Sequence, residues 1–290
     1  MPFDTPLRYP GGKGRLSGFM KEVIELNGLT DGHYVEPYAG GAGIAITLLL
    51  NGVVSHVHIN DLNRSIFAFW DTVLHNTAAF CQRIEETEVT IEEWNRQKAV
   101  QNDLHADIFD LAFSTFFLNR TNRSGIIKGG VIGGKEQLGK WRLDARYNKK
   151  ALIGRIEKIG GVADRVSLYW EDAFDFIHAT LPKLPKKTMV YLDPPYYEKG
   201  KGLYKNHYKF ADHFHIGQLV SGIKQPWLIT YDDIPEIRKI YRTFKKSRFE
   251  LQYSAQWRYK GTEVLITPNE LKLPKGVRVS RSLTLHKEAA

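Results

Sequence analysis

A glycine-rich turn between a short apolar strand and an apolar helix constrains the fold of this chain more than any other feature. The strand is predicted at His33 to Glu36, the turn at Ala39-Gly40-Gly41-Ala42-Gly43, and the helix at Ile44 to Leu50. Val54 to Asn60 then has the composition of a second strand. Because two strands joined through a helix lie parallel in one sheet, this order predicts a doubly wound α/β fold.

The other predicted strands come from the second half of the chain, whereas the middle is helical. Further strands are predicted at Arg165 to Tyr169, Thr188 to Leu192, Trp227 to Thr230, Leu251 to Ser254 and Val264 to Thr267. Helices are predicted at about Arg64 to Leu74, Phe80 to Glu88, Ile91 to Val100, Asp107 to Leu118, Asp172 to Ala179 and Asp212 to Ile223. We therefore predict a doubly wound mixed sheet built from residues 1–64 and 165–290, with residues 65–164 inserted as a helical subdomain that carries an exposed loop.

The composition is that of a globular protein with a basic surface. The chain has 290 residues, 42% of them hydrophobic, which is enough to bury a sizeable core. Its one cysteine, Cys81, excludes an internal disulfide framework and suits a reducing compartment. No apolar stretch approaches the roughly 20 residues that span a bilayer, so we expect a cytoplasmic protein without membrane contact. The net charge of +9 favours a polyanionic partner.

The sequence Asp193-Pro194-Pro195-Tyr196 follows an apolar strand and suits the handling of an amino group on a planar base. A ring-conjugated amine is a poor nucleophile, so an enzyme that alkylates it must draw its hydrogens aside. Asp193 can accept one N–H and the carbonyl of Pro194 the other, while Tyr196 can stack on a base swung out of a duplex. Both prolines restrict the backbone before substrate arrives. The alternative interpretation is a simple strand-ending turn.

The glycine loop and the acid after the next strand suggest a site for a nucleoside-bearing cofactor. Gly40, Gly41 and Gly43 form G-G-x-G and not the G-x-G-x-x-G of dinucleotide sites. Asp61, at the end of the second strand, is placed to bind ribose hydroxyls. A cofactor such as S-adenosylmethionine has no phosphates and carries a sulfonium, which suits a nearby carboxylate.

Two further acids are candidates for the same cofactor. Asp172 can contact the adenine of the cofactor, or it can be the N-cap of the helix that it precedes, and both can hold. Glu36 can orient the amino-acid tail of the cofactor, or it can be a solvated acid at a strand end.

Four motifs stand in a fixed order along the chain: Leu7-Arg8-Tyr9-Pro10-Gly11-Gly12-Lys13, Val35-Glu36-Pro37-Tyr38-Ala39-Gly40-Gly41-Ala42-Gly43, Ile59-Asn60-Asp61-Leu62-Asn63 and Asp193-Pro194-Pro195-Tyr196. The chain resembles, from residue 7 to about 267, the adenine-specific DNA methyltransferases of the Dam type. The resemblance implies a Rossmann-like methyltransferase fold and transfer of a methyl group from S-adenosylmethionine to N6 of adenine in DNA. It places Tyr9, Lys13, Asp61 and Asp193 on cofactor-contacting positions and Asp193, Pro194, Pro195 and Tyr196 on catalytic ones.

The predicted DNA-recognition segment is similar to that of the family only in its first part. The run from Phe117 to Gly125 matches the family pattern of an Asn-Arg pair leading to a loop glycine. Members that read GATC tend to carry other residues at the places of Arg123, Ser124 and Lys128, so the sequence does not predict a GATC target. The candidate DNA-binding residues are Arg8, Asn119, Arg120, Asn122, Arg123, Ser124 and Lys128, and the basic residues Lys135, Lys140, Arg142 and Arg146 follow.

Sequence alone does not sort these basic residues into base and phosphate contacts, because arginine serves both. A solvated basic loop is the alternative. For Arg123, next to the loop glycine, we predict base contact, and for Arg120, which closes an apolar helix, backbone contact.

We therefore predict a site-specific adenine methyltransferase that uses S-adenosylmethionine and no metal, and that flips its base from duplex DNA. We expect a monomer or weak dimer in a bacterial cytoplasm, encoded by a bacterium or phage, with the possibility of a cognate restriction endonuclease that it does not contact. The alternatives are methylation of an RNA base or a protein amide, and a catalytically silent DNA-binding subunit.

Overall fold

The computed structural model describes residues 4–8, 13–197, 208–253, 259–274, 278–280 and 283–287. The strands are β1 (His33–Glu36), β2 (His56–Asn60), β3 (Val166–Tyr169), β4 (Thr188–Leu192), β5 (Trp227–Asp232), β6 (Lys245–Tyr253), β7 (Tyr259–Thr267), β8 (Arg278–Ser280) and β9 (Leu283–Lys287). The helices are α1 (Ser17–Leu26), α2 (Gly43–Leu50), α3 (Arg64–His75), α4 (Thr77–Glu86), α5 (Ile91–Asn102), α6 (Ile108–Thr121), α7 (Lys149–Gly160), α8 (Ala173–Asp175), α9 (Phe210–Ser221) and α10 (Pro235–Ile240). A π-helical turn, Phe176–Thr180, continues α8.

The strands form one mixed sheet in the order β3-β2-β1-β4-β5-β7-β6-β9-β8. The first five strands are parallel, and β7 enters antiparallel between β5 and β6. The chain therefore crosses from β1 to β2 and on to β3 on one side of β1, and then returns from β3 to β4 on its other side. This topology confirms the predicted doubly wound mixed sheet.

Both faces of the sheet are covered, and alternate strand residues point to opposite faces. Met189 and Tyr191 of β4 belong to one buried cluster, which also holds side chains of α1 to α7. Val190 and Leu192 belong to the other, together with side chains of the π-helical turn, α9 and α10. Because a parallel strand in such a sheet is buried on both sides, β4 reads as an uninterrupted apolar run, and its predicted bounds are confirmed.

The helices between β2 and β3 pack on the first of these faces. Phe69 of α3 stacks on Phe116 of α6 with ring centroids 6.3 Å apart, and Phe80 of α4 packs edge-on against both rings. The same buried cluster includes Phe19 of α1 and Leu48 of α2. Residues 65–164 are thus helical and share their core with one face of the sheet, while their status as a separate subdomain stays a prediction.

Several elements differ from the sequence prediction. The helices α1, α7 and α10 and the strands β8 and β9 were missed, although the buried positions of α1 (Phe19, Met20, Val23 and Ile24) have a helical spacing. The predicted strand at Val54 begins at His56. The predicted strand at Leu251 belongs to a longer β6, Lys245–Tyr253, and its predicted end, Ser254, lies outside the described residues.

Three carboxylates lie at one edge of the sheet because β2, β4 and β5 are parallel. Asp61 follows β2, Asp193 follows β4, and Asp232 ends β5. In open α/β sheets ligands bind at this carboxyl edge, near the point where the strand order reverses. Here that point is at β1, between β2 and β4. Among the described residues, no helix is both long and apolar enough to cross a bilayer.

Candidate active site and nucleic-acid interface

Asp193 is held at the carboxyl end of β4 by one of its two carboxylate oxygens. Its Oδ1 accepts hydrogen bonds from Lys13 Nζ at 3.0 Å and from Thr230 Oγ1 at 2.8 Å. Within the described ranges Oδ2 has no hydrogen bond, and a quarter of the side chain (25%) is exposed. The turn that follows is fixed by the backbone N–H of Tyr197, which donates to Asp232 Oδ1 at 3.1 Å. Asp193 therefore presents one unoccupied acceptor with a defined orientation.

Lys13 is buried in this site and not on the surface. Besides Asp193, its Nζ contacts the hydroxyl of Tyr196, lies 4.9 Å from the centre of that ring, and lies 3.0 Å from Glu263 Oε2. Burial by itself lowers the pKa of Lys13, but Asp193 and Glu263 outweigh it and raise that pKa above its ordinary value. The ammonium is therefore charged at neutral pH and fixes Asp193 and Tyr196 relative to each other.

Thr230 and Glu263 are site residues that sequence reasoning missed. Thr230 lies on β5 and Glu263 on β7, and both side chains are buried. Burial raises the pKa of Glu263, and Lys13 opposes the shift. The sequence feature that could have identified Glu263 is its position directly before the strand-forming run Val264–Thr267. A charged side chain in a strand interior is rarely buried unless it is paired.

The glycine loop between β1 and α2 has a fixed, unusual backbone. Gly40 and Ala42 both have positive φ, +48° and +43°. The carbonyl of Gly40 accepts from Trp70 Nε1 at 2.9 Å, and that of Gly41 from Thr5 Oγ1 at 2.5 Å. At Gly43 an added Cβ would lie 3.4 Å from the Cα of Gly14. The loop is therefore held by hydrogen bonds from Trp70 and Thr5 and by close packing against Gly14.

Asp61 is bonded to this loop directly. Its Oδ2 accepts from the Gly40 N–H at 2.8 Å and its Oδ1 from the Asn63 N–H at 2.8 Å. Burial raises the pKa of Asp61 to about 6, although both hydrogen bonds oppose the shift. Each oxygen keeps a second lone pair with which it can bind hydroxyl groups.

Glu36 is buried at the end of β1, against the first turn of α2, so the interpretation of a solvated acid is wrong. Its Oε1 accepts from the Ala45 N–H at 3.1 Å. Burial raises the pKa of Glu36 to about 8, with the Ala45 hydrogen bond opposing. A carboxyl group of this kind is protonated at neutral pH until a cation approaches it.

Asn60 and Asp172 organise the strand ends next to Asp61. Asn60, which sequence reasoning missed, donates to the carbonyls of Pro37 at 3.0 Å and Glu171 at 3.1 Å, and accepts from the Glu171 N–H at 2.9 Å. Asp172 accepts from the Phe174 N–H at 2.8 Å, which confirms its interpretation as an N-cap. Its contact with a cofactor stays a prediction. Tyr9, the remaining cofactor candidate, lies outside the described residues.

The predicted recognition segment begins with a small hairpin. The Arg123 N–H donates to the Gly130 carbonyl at 2.9 Å, the Ile132 N–H donates to the Thr121 carbonyl at 2.9 Å, and Asn122 and Val131 form a β-bridge between them. The turn contains Ser124 and Gly125, both with positive φ. A Cβ at Gly125 would lie 2.1 Å from the Arg8 carbonyl oxygen, so the hairpin packs directly on residue 8.

Two of the predicted DNA-binding residues are buried and bond to the protein backbone. Asn119 accepts from the Arg8 N–H at 2.7 Å and donates to the carbonyls of Arg8 and Gly125 at 2.9 and 2.8 Å. Asn122 accepts from Trp94 Nε1 at 2.7 Å and donates to the carbonyls of Ile126 and Ile127 at 2.9 and 2.8 Å. In this conformation both amides shape the hairpin, and neither is at the surface.

Four guanidinium groups meet beside the hairpin. Burial and the nearby charges of Arg8, Arg155 and Arg146 lower the pKa of Arg120 to about 9. Arg120 Nε is buried without a hydrogen-bond partner among the described residues, and in the same part of the chain no carboxylate forms a salt bridge with these arginines. A guanidinium stays protonated at neutral pH even so. The cluster is therefore an uncompensated positive charge, which suits an anion.

The other predicted basic contacts lie on the surface around it. Arg123 is exposed at the hairpin turn, and Ser124 beside it is half-buried. The remaining exposed cations are Lys128, Lys135, Lys140, Arg142 and Arg146.

Comparison with known proteins gives one family and several distant structures. The model of a family described as D12 class N6 adenine-specific DNA methyltransferase matches residues 9–255. No curated protein matches the chain. The similar solved structures include an rRNA methyltransferase from Streptomyces viridochromogenes (13% identity, 89% of this chain and 86% of that chain, TM-score 0.39) and a conserved hypothetical protein from Streptococcus pyogenes (11%, 87% and 96%, TM-score 0.36).

Proposed function

The chain belongs to the family of D12 class N6 adenine-specific DNA methyltransferases, and from that premise we propose that it transfers a methyl group from S-adenosylmethionine to N6 of an adenine flipped out of duplex DNA. The observation that carries the proposal is the geometry of Asp193. One of its oxygens is locked by Lys13 and Thr230, and the other is available to accept from an amine.

The chemistry assigned to the strand end follows from this geometry. Asp193 Oδ2 accepts one hydrogen of the N6 amine and the carbonyl of Pro194 the other, so that the nitrogen lone pair leaves conjugation with the ring. Tyr196, whose hydroxyl contacts the Lys13 ammonium, stacks on the base through a face of its ring. Pro195 keeps the turn in an extended conformation.

The residues around the glycine loop fit a sulfonium nucleoside. Bound there, S-adenosylmethionine would supply an electrophilic methyl group on a positively charged sulfur. Asp61 would hold the ribose through its remaining lone pairs, and Gly40, Gly41 and Gly43 would allow close approach of the ligand. Glu36, which burial keeps protonated, would ionise against the ammonium of the amino-acid tail. Asp172, at the next strand end, is proposed to lie against the adenine.

The hairpin and the arginine cluster are proposed as the DNA interface. Arg120, together with Arg8, suits a backbone phosphate, because its half-buried charge has no carboxylate partner among the described residues. Arg123 is exposed at the turn and suits a base edge. Asn119 and Asn122 are assigned a positioning role in the hairpin instead of the direct contact predicted from sequence. Ser124 and Lys128 stay candidates for direct contact.

Transfer of label from methyl-labelled S-adenosylmethionine to duplex DNA, RNA and protein tests the proposal. We expect incorporation into duplex DNA, recovered as N6-methyladenine after hydrolysis. Incorporation only into RNA or protein would support one of the other methyltransferase activities, and cofactor binding without any transfer would support a silent subunit. Either result would overturn the proposal. A monomer or weak dimer, a cytoplasmic location and a companion endonuclease without direct contact stay predictions from the sequence.

A further inference from the structure

Glu263 is a buried carboxylate to which the reaction as proposed gives no role. It lies on β7 directly opposite Asp232 of β5, and its Oε2 accepts a hydrogen bond from Lys13 Nζ at 3.0 Å. The side chain is fully buried, with 0% exposed. Because a buried carboxylate is costly unless a partner compensates it, Glu263 at this depth depends on its ion pair with Lys13.

Lys13 divides its hydrogen bonds between two carboxylates. Its Nζ lies 3.0 Å from Glu263 Oε2 and 3.0 Å from Asp193 Oδ1. The same atom contacts the Tyr196 hydroxyl and lies 3.3 Å from Thr230 Oγ1. An ammonium has three N–H groups, so fixed protein atoms engage all of its donors.

We propose that Glu263 is a positioning residue for the methyl transfer, which shares Lys13 with Asp193 and so confines the ammonium to Asp193 Oδ1. The inference rests on the proposed function, since it takes Asp193 Oδ2 as the acceptor for the amine. When Glu263 is neutral, Asp193 is the only charged carboxylate that Lys13 contacts among the described residues. The ammonium then moves toward both oxygens of Asp193 and competes with the amine for Oδ2.

The pH dependence of the reaction gives the inference a specific signature. The polar groups near Glu263 come from three parts of the chain. They are Lys13, which begins the 3₁₀ helix Lys13–Leu16, then Tyr191, Asp193 and Tyr196 at the end of β4, and Thr230 and Asp232 on β5. The β6 residue opposite Glu263 is Phe249, which does not titrate. Burial raises the pKa of Glu263, so this residue takes up a proton at a higher pH than an ordinary glutamate. We therefore expect kcat to fall with decreasing pH while Glu263 becomes protonated.

The test compares E263Q with wild type and with T267V over a range of pH. Thr267 lies on the same strand, is fully buried, and has a hydroxyl without a hydrogen-bond partner among the described residues, so T267V controls for a disturbed β7. For E263Q we expect a kcat lowered tenfold or more, KM for DNA within about threefold of wild type, and loss of the acidic limb of the kcat profile. T267V is expected to keep the wild-type profile.

A structural role alone predicts a different pattern. If E263Q lowers the melting temperature but keeps kcat within twofold of wild type, or keeps the acidic limb, the positioning role is wrong. A kcat loss in T267V equal to that in E263Q would also overturn it.

A second measurement does not depend on activity. The Lys13 ammonium should give a slowly exchanging ¹⁵Nζ NMR signal in the wild type, assigned by its absence in K13M, because all of its donors are engaged. In E263Q the signal should shift and broaden, and an unchanged signal would contradict the inference. A wild type that methylates no DNA would overturn the proposed function, whereas an active wild type with a fully active E263Q would overturn only the inference.

Discussion

At the scale of single residues, the site depends on carboxylates whose surroundings differ. Asp193 is partly exposed, and only one of its two carboxylate oxygens is hydrogen-bonded among the described residues. The carboxylates of Glu36, Asp61 and Glu263 are hydrogen-bonded to the protein, and their pKa values are raised because burial disfavours the charged form. The partly exposed acid is available to substrate. Glu263 pairs with a cation from the chain, Lys13, and Glu36 is proposed to pair with one from a ligand, whereas Asp61 is proposed to bind ribose hydroxyl groups.

The substitution Asp193→Asn tests the acceptor role with little change in shape. It replaces a carboxylate by a carboxamide, so Lys13 loses an ion pair and the amine loses its charged acceptor. We expect methyl transfer to fall by about a hundredfold or more, the usual effect of removing one well-placed polar group from such a site. Single-turnover kinetics with labelled cofactor measure it, and a rate within tenfold of wild type would remove Asp193 from the catalytic role.

Under the proposed function, the raised pKa of Glu36 should make the binding of S-adenosylmethionine sensitive to pH. The folded protein holds Glu36 protonated below about pH 8, and only its ionised form would attract the ammonium of the proposed cofactor. Affinity for S-adenosylmethionine should therefore decrease as pH falls below about 8, with proton release on binding. Calorimetry in buffers of different ionisation enthalpy measures both, and E36Q should remove this dependence. Equal affinity at pH 6 and pH 8 in the wild type would contradict the assignment.

At the scale of elements, sequence patterns predicted the parts of the site that come from local chemistry. The strand β4 with its Asp-Pro-Pro-Tyr turn, and the glycine loop with Asp61, are contiguous signals. Glu263 and Thr230 join the site only because β7 inserts antiparallel beside β5, and that pairing has no local signature. Sequence also did not show that Asn119 and Asn122 are buried and hydrogen-bonded to the hairpin, because an exposed amide and a buried one look alike in sequence.

The hairpin and the helix before it should contribute to DNA binding in different ways. Arg120→Ala should weaken binding to all sequences alike and reduce the slope of affinity against salt by about one unit, since Arg120 is proposed to hold a phosphate. Arg123→Ala should cost about 1 to 3 kcal/mol on the cognate site and relax preference at one base pair. Titrations over a salt series, with methylation profiles on a randomised DNA pool, separate the two. The reverse assignment of effects would mean that the hairpin docks differently.

At the scale of the whole molecule, the sheet face opposite the inserted helices contains a cluster of three histidines whose protonation should change the free energy of unfolding. His33 of β1 stacks on His56 and His58 of β2 with ring centroids 5.1 Å apart, and the rings of His56 and His58 are tilted to each other at 4.8 Å. His58 Nε2 lies 2.9 Å from His33 Nδ1, and its Nδ1 lies 3.1 Å from the Tyr169 hydroxyl. Burial, followed by the two neighbouring histidines, lowers the pKa of His58 to about 3.

Acid should therefore destabilise the wild type more than a variant without this histidine. Since the folded pKa lies below the ordinary 6.5, the unfolded chain binds the proton first, and stability is lost as pH falls from 6.5 toward 3. At pH 5 the free energy of unfolding of the wild type should be about 2 kcal/mol lower than at pH 7 on account of His58, because each pH unit below 6.5 contributes about 1.4 kcal/mol. Urea unfolding of wild type and H58Q at pH 7 and pH 5 measures it. Parallel changes in both proteins would exclude His58 as the cause.

The contact between the hairpin and residue 8 limits how this enzyme can be re-engineered. Asn119 and Gly125 close on the backbone of Arg8, and only five positions further along the chain Lys13 binds Asp193. A hairpin transplanted from a relative with another target would bring its own surface against residue 8. If the hairpin sets the target sequence, as proposed, an exchange of target preference should require that residues 4–13 be exchanged together with the hairpin, because the two segments pack on each other.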